Sequence, residues 1–150
     1  MKRIYATVLA VFFLIGIAGV SLAANSADEA KAMVENAIAF MKANGKDKAL
    51  AEINNQKGKF VKGEVYVTVL DLTATMLAHP YNPKLIGKNL LDVPDPDGKL
   101  FRKDIVETAK TKGSGWVDFK YKNPATNKVE SKTAFIKKVD EMIFICGIYK

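Results

Sequence analysis

Between Pro80 and Gly98 the chain carries four prolines, at 80, 83, 94 and 96, and two glycines, at 87 and 98. A proline ring removes a backbone donor and clashes inside a helix, and within a sheet it is confined to edges and bulges. No long helix and no central strand can cross this segment. It reads as loop, with a single helical turn near Lys84–Ile86. Regular structure must therefore lie in two blocks, one on either side.

The block before the loop opens helical. Ala30, Met33, Val34, Ala37, Ile38 and Met41 recur at three- and four-residue spacing, one apolar stripe on a helix of about 27–43. Ser26 and Glu29 form a capping-box pattern at its start, and Asn44-Gly45 is expected to end it in a left-handed cap. A short second helix with Asp47 as its cap turns Leu50 and Ile53 inward, and Asn54–Gly58 reads as loop. Glu64–Leu70, rich in β-branched and aromatic residues, is expected to be a strand, turned through Asp71–Ala74 into a second short strand at Thr75–His79. Beyond the loop, Phe101, Ile105, Thr108 and Ala109 mark a helix of about 100–111, ended by Gly113. Strands follow at Gly115–Tyr121, Lys132–Val139 and Met142–Tyr149. Hairpin-linked strands with helices grouped at one end and in the middle imply an α+β domain on an antiparallel sheet of about five strands.

The first residues are of another kind. Lys2 and Arg3 precede an apolar run, Tyr5 to Val20, which ends in Ser21-Leu22-Ala23. A basic start, an apolar middle and small residues at −3 and −1 describe a secretory signal peptide cleaved after Ala23. An uncleaved membrane anchor is the alternative. The expected division is thus 1–23 signal and 24–150 a single domain, periplasmic or secreted. The formal charge of +7 contains Lys2 and Arg3, so the 21 basic and 16 acidic residues that remain leave +5. These lysines are spread from Lys31 to Lys150, a solvated basic surface that excludes no small anion and singles out no nucleic acid.

Several chemistries are missing. One cysteine makes no internal disulfide, zinc finger or CxxC pair, and Cys146 in Ile143–Cys146 reads as a buried small hydrophobe. One histidine excludes a His-pair metal motif. Asp95, Asp97 and Gly98 mimic part of a calcium loop, but its first ligand position is then Val93 and its twelfth Asp104, so a proline-framed turn is expected. Gly113-Ser-Gly115 is too short for a phosphate loop, and no serine nucleophile is marked. No catalytic residue, metal or cofactor is assigned, and no enzyme is expected.

The run Val65–Pro80 resembles the first hairpin of Cache domains. Asn82-Pro83 with Gly87–Leu90, then Asp97-Gly98-Lys99, Gly115–Pro124, Lys132–Lys137 and Cys146–Tyr149 follow in the order that family shows. The resemblance spans about residues 28–150 and is closest to the single, type 2 Cache module, here standing alone. It implies a PAS-like fold: a long N-terminal helix on one face of the sheet and a small-molecule pocket on the other. It also implies extracytoplasmic sensing of the kind found in chemoreceptors and histidine kinases, often of small carboxylic acids. Ala74 stands where the family usually has glycine, Phe119 and Phe135 where tyrosine is common, Tyr121 where tryptophan is common, and Thr68 where an aromatic is frequent.

The site expected on that basis draws on five strands. Val117, Phe119 and Tyr121 share one strand face by period two, while Trp116 points the other way. His79, at a strand end before Pro80, can donate to an anion. Lys132 can neutralise a carboxylate, Tyr149 can reach the ligand with its hydroxyl, and Thr68, Phe135 and Tyr66 complete the candidates. The expectation is a periplasmic module that binds a small organic anion such as a short carboxylic acid and works with a separate membrane receptor or kinase. A ligand-free structural or interaction protein of the cell envelope is the rival. The signal-peptide assignment predicts a mature chain beginning at Ala24, which the intact mass of the exported protein reads directly.

Overall fold

A computed structural model describes residues 19–150, with side chains from Ser26 onward. The expected signal segment, 1–23, lies outside the described residues apart from 19–23. Helix α1 runs Gly19–Asn44 and α2 runs Lys46–Asn54. The strands are β1 Val61–Lys62, β2 Val65–Asp71, β3 Met76–Ala78, β4 Ser114–Lys122, β5 Val129–Val139 and β6 Met142–Tyr149. Helix α3, Phe101–Lys112, precedes β4. In the proline-rich loop a single 3-10 turn occupies Pro83–Leu85.

The sheet is antiparallel, in the order β1-β2-β6-β5-β4, with β3 also paired to β2. Strands β1 and β3 share one edge of β2: Tyr66 pairs with Val61, and Val69 with Ala78. Five strand positions result, as the hairpin pattern implied. The boundaries differ in one instructive place. Helix α1 already runs through Leu22-Ala23-Ala24, strong helix formers, so Ser26 and Glu29 are interior residues rather than a cap. Gly45, at φ 92 and ψ 161, serves instead as N-cap of α2, and Asp47 falls inside the first turn of that helix.

Period two sorts the strand residues onto two faces. On one face Val67, Val69, Phe135, Phe144 and Cys146 pack with the α1 stripe and with Ala49 and Ile53 of α2. On the other, Leu70, Val117, Ala134, Ile143 and Ile145 pack with Phe101, Ile105, Val106 and Ala109 of α3. The Phe101 and Phe119 rings stack 4.1 Å apart and nearly parallel.

The loop is pinned where its prolines leave donors free. Gly87 N donates to Met76 O and Leu90 N to Ala74 O, which fastens it along β3. Farther on, the Asp95 carboxylate accepts from the backbone N–H groups of Asp97, Lys99 and Lys120, tying the Asp95–Gly98 turn to the open edge of β4. Ala74 sits at φ 65, a left-handed conformation that glycine takes without strain, in a turn held by Asp71 accepting from Thr73 and Thr75. Phe144 is 0 % exposed at the centre of the helix-side core. Phe144→Ala is expected to cost ~3–5 kcal/mol of unfolding free energy in urea titration.

Candidate functional site

Thr68 and Tyr66 of β2, Phe119 and Tyr121 of β4, Lys132 of β5 and Gly147 of β6 all point to the face opposite α1. With His79 at the end of β3 and Arg102 in the first turn of α3, they line a cavity of about 40 Å³. A larger space of about 570 Å³ adjoins it, between the proline-rich loop and the β4–β5 turn.

Lys132 is 5 % exposed, and among the described residues no carboxylate lies within ion-pair distance of it. Its ammonium stands 4.2 Å from the Tyr66 ring centroid, 4.7 Å from Tyr149 and 5.6 Å from Tyr121, a cation–π cage of three rings. A Cβ at Gly147 would fall 2.2 Å from Lys132 Cε, so the lysine stem lies in the space that a missing side chain leaves. Burial pulls the Lys132 pKa down to about 8, with Cys146 and Glu64 acting weakly in the opposite direction.

Arg102 is the second buried cation, also 5 % exposed and without a carboxylate partner among the described residues. Its Nη1 donates to Val93 O at 3.3 Å, and its guanidinium reaches the Tyr121 hydroxyl. Burial lowers its pKa, and the Tyr121 hydroxyl opposes that shift. Sequence reasoning passed over this residue. The signal was present: 102, 105, 106 and 109 form an i, i+3, i+4, i+7 set, and all four are buried.

His79 is positioned from outside the sheet. Asn54, at the end of α2, accepts the His79 backbone N–H, and Gln56 donates to Pro80 O. The backbone N–H groups of Tyr81 and Asn82 donate to His79 Nδ1 at 3.2 and 3.0 Å. That occupies the Nδ1 lone pair and leaves the ring proton on Nε2, which meets the Tyr121 hydroxyl at 3.4 Å. Burial, followed by the positive charges of Lys132 and Arg102, lowers the His79 pKa to about 4. It is a neutral donor at physiological pH.

Two expected residues lie elsewhere. Phe135 is three residues from Lys132 and so on the opposite face; it packs in the helix-side core, with its ring 5.5 Å from Trp116. Tyr149 gives its hydroxyl to Lys122 O at 2.9 Å and meets Lys132 through its ring, so it supports the cation instead of lining the cavity. Among the described residues no group of three or more His, Cys, Asp or Glu could hold a metal ion. The arrangement can bind: two fixed cations, a neutral imidazole donor and phenolic hydroxyls surround a small apolar-walled space.

Residues 18–149 match the family described as Single Cache domain 2. Over 82 residues, 55% of this chain, the sequence is 30% identical to the sensor histidine kinase MctS of Rhizobium johnstonii, covering 18% of that protein. Over a stretch of equal length it is 32% identical to the methyl-accepting chemotaxis protein McpP of Pseudomonas putida, covering 15%. The chain thus spans less than a fifth of these relatives. Among solved structures it resembles a Cache chemosensory domain described for carboxylic acid recognition, at 25% identity and TM-score 0.71, over 87% of this chain and 97% of that one. It also resembles a periplasmic sensor domain of a chemotaxis protein, at 26% identity and TM-score 0.66, over 86% and 93%. A methyl-accepting chemotaxis protein from Vibrio parahaemolyticus, at 20% identity and TM-score 0.75 over 86% and 91%, shares the fold. With a family match over nearly its whole length and the two-faced sheet that goes with it, the chain belongs to the Single Cache domain 2 family.

Proposed function

We propose that this Cache domain is an exported sensor module that binds a small organic anion, a short carboxylic acid, and passes occupancy to a membrane receptor or kinase. The observation that carries this reading is the pair of buried cations, Lys132 and Arg102, that face one small cavity with no carboxylate to pair with among the described residues. A buried charge is costly unless paired and hydrogen-bonded. An anionic ligand supplies that partner, and the Nε2–H of His79 and the hydroxyl of Tyr121 supply neutral donors beside it. The apolar remainder of the wall, Leu70, Met76, Ile105, Phe119 and Ile145, suits a ligand with a short carbon skeleton. The similarity to a domain described for carboxylic acid recognition supports the same class of ligand. Residues 1–23 are the export signal in this reading, and the domain works outside the cytoplasm.

Calorimetric titration with acetate, propionate and other short acids tests the proposal. Lys132→Met keeps the stem and removes the charge, so affinity should fall roughly ten- to a hundredfold, the worth of one charge-assisted bond at ~1.5–3 kcal/mol. In wild type, affinity should hold steady from about pH 5.5 to 7.5 and fall by up to tenfold per pH unit above pH 8, where Lys132 loses its proton. Absence of any heat or thermal shift across the acids would transfer the chain to the rival reading, a ligand-free structural protein of the envelope.

His79 makes a separate prediction about the fold. Its folded pKa, about 4, lies below the unfolded value of 6.5, so only the unfolded chain takes up a proton between them. Stability is therefore complete above pH 6.5 and declines as pH falls toward 4, by up to ~3 kcal/mol. Asp71, Asp95 and Asp118 have pKa values lowered from 3.8 and lose their contributions at lower pH still. Urea titrations at pH 7 and 4.5 should show this loss in wild type and a clearly smaller one in His79→Gln.

A further inference from the structure

The small cavity and the larger space beside it are two compartments of one site. Tyr66, His79, Phe101, Arg102 and Tyr121 belong to the walls of both. Lys132 lines only the inner compartment, whereas Leu85, Leu90, Val93 and Val129 line only the outer one. The inner 40 Å³ has room for roughly three water-sized spheres at ~10–15 Å³ each. A carboxylate with one or two carbons fills it. The outer 570 Å³ lies in the range of pockets that bury whole small molecules, roughly 300–1,000 Å³.

The outer compartment has an apolar character that the protein leaves uncovered. Val93 is 45 % exposed and Val129 52 % exposed, one on the proline-rich loop and the other at the start of β5. They are two of the four large apolar residues left exposed among the described residues, and both border this space. Pro94, Pro96 and Pro124 stiffen its walls, so it exists without a ligand to shape it. Two of its charged groups are committed: Asp95 accepts three backbone N–H groups, and Lys120 is paired with Asp97 at 3.0 Å.

We propose that the outer compartment is a subsite for the apolar tail of the ligand, so that the preferred ligand is a monocarboxylic acid with an alkyl chain of about four to eight carbons. The inference rests on the anion-binding reading above. The carboxylate sits beside Lys132 and Arg102, the chain passes Tyr121 and His79, and the tail covers Val93 and Val129. The ligand class is thereby set by two features far apart in the sequence, a buried charge on the sheet and an exposed apolar wall on the loop.

The test is a calorimetric titration of the full chain with straight-chain monocarboxylates from acetate to octanoate, and with adipate as a dicarboxylate of hexanoate's length. Affinity should rise three- to fourfold per methylene from propionate to hexanoate, the equivalent of ~0.8 kcal/mol each. Val129→Asp, at a position half open to water, should bring the ratio of hexanoate to propionate affinity toward one. Affinity that peaks at acetate or propionate and falls with longer chains would overturn the tail subsite and leave the carboxylate reading intact. Adipate binding more tightly than hexanoate would overturn it too, because the outer compartment would then take a second charge. Binding of none of these acids would remove the carboxylate reading and this inference with it.

Discussion

Burial of β6 on both faces is the constraint around which this domain is built. Met142 to Cys146 have almost no exposure, so neither face of the central strand can be left to water. One face is covered by α1 and α2, whose apolar stripes meet Phe144 and Cys146. The other must be covered as well, and α3 with the proline-rich loop does so over Ile143 and Ile145. A helix packed on a sheet fills space well, but a loop of prolines and glycines does not. The cavity lies on the side where that loop forms part of the cover.

The electrostatics of the site follow from this cover. Lys132 and Arg102 are buried with no carboxylate in ion-pair distance among the described residues, and the protein spreads the cost over weak partners: three tyrosine rings around Lys132, and the Val93 carbonyl and the Tyr121 hydroxyl at Arg102. Such partners hold a cation in position without neutralising it. His79 is kept from adding a third charge by its burial and then by the positive charges of Lys132 and Arg102, while two backbone N–H groups occupy Nδ1. Two buried cations without a carboxylate partner among the described residues are the feature on which the proposed anion binding rests. Two supports lie outside the cavity, Asn54 and Gln56, which fix His79 and Pro80, while Gly147 in its wall clears the path of the lysine stem.

The fold was legible in the sequence to the extent that it rests on local periodicity. The α1 stripe, the Gly113 cap, the Pro83–Leu85 turn and the alternation in β4 depend on neighbours a few residues away. Of the candidate site residues read from the sequence, Thr68, His79, Phe119, Tyr121 and Lys132 meet at one cavity. Phe135, a candidate from the resemblance, lies in the helix-side core instead, since residues 132 and 135 cannot share a strand face. Arg102 marks the opposite failure. A charged residue in an apolar helical stripe reads as an edge position unless one knows that the first turn of α3 is roofed by the loop.

By itself, the sequence determined where the chain can be regular and which face each strand residue takes, because proline geometry, turn residues and the alternation of side chains act over a few residues. Only the tertiary structure decided that Lys132 and Arg102, one on a strand and one on a helix, face the same space with no acid between them. Burial and the absence of a partner are properties of what surrounds a group. They depend on a glycine in the next strand, on rings from three strands and on a loop that no periodicity describes.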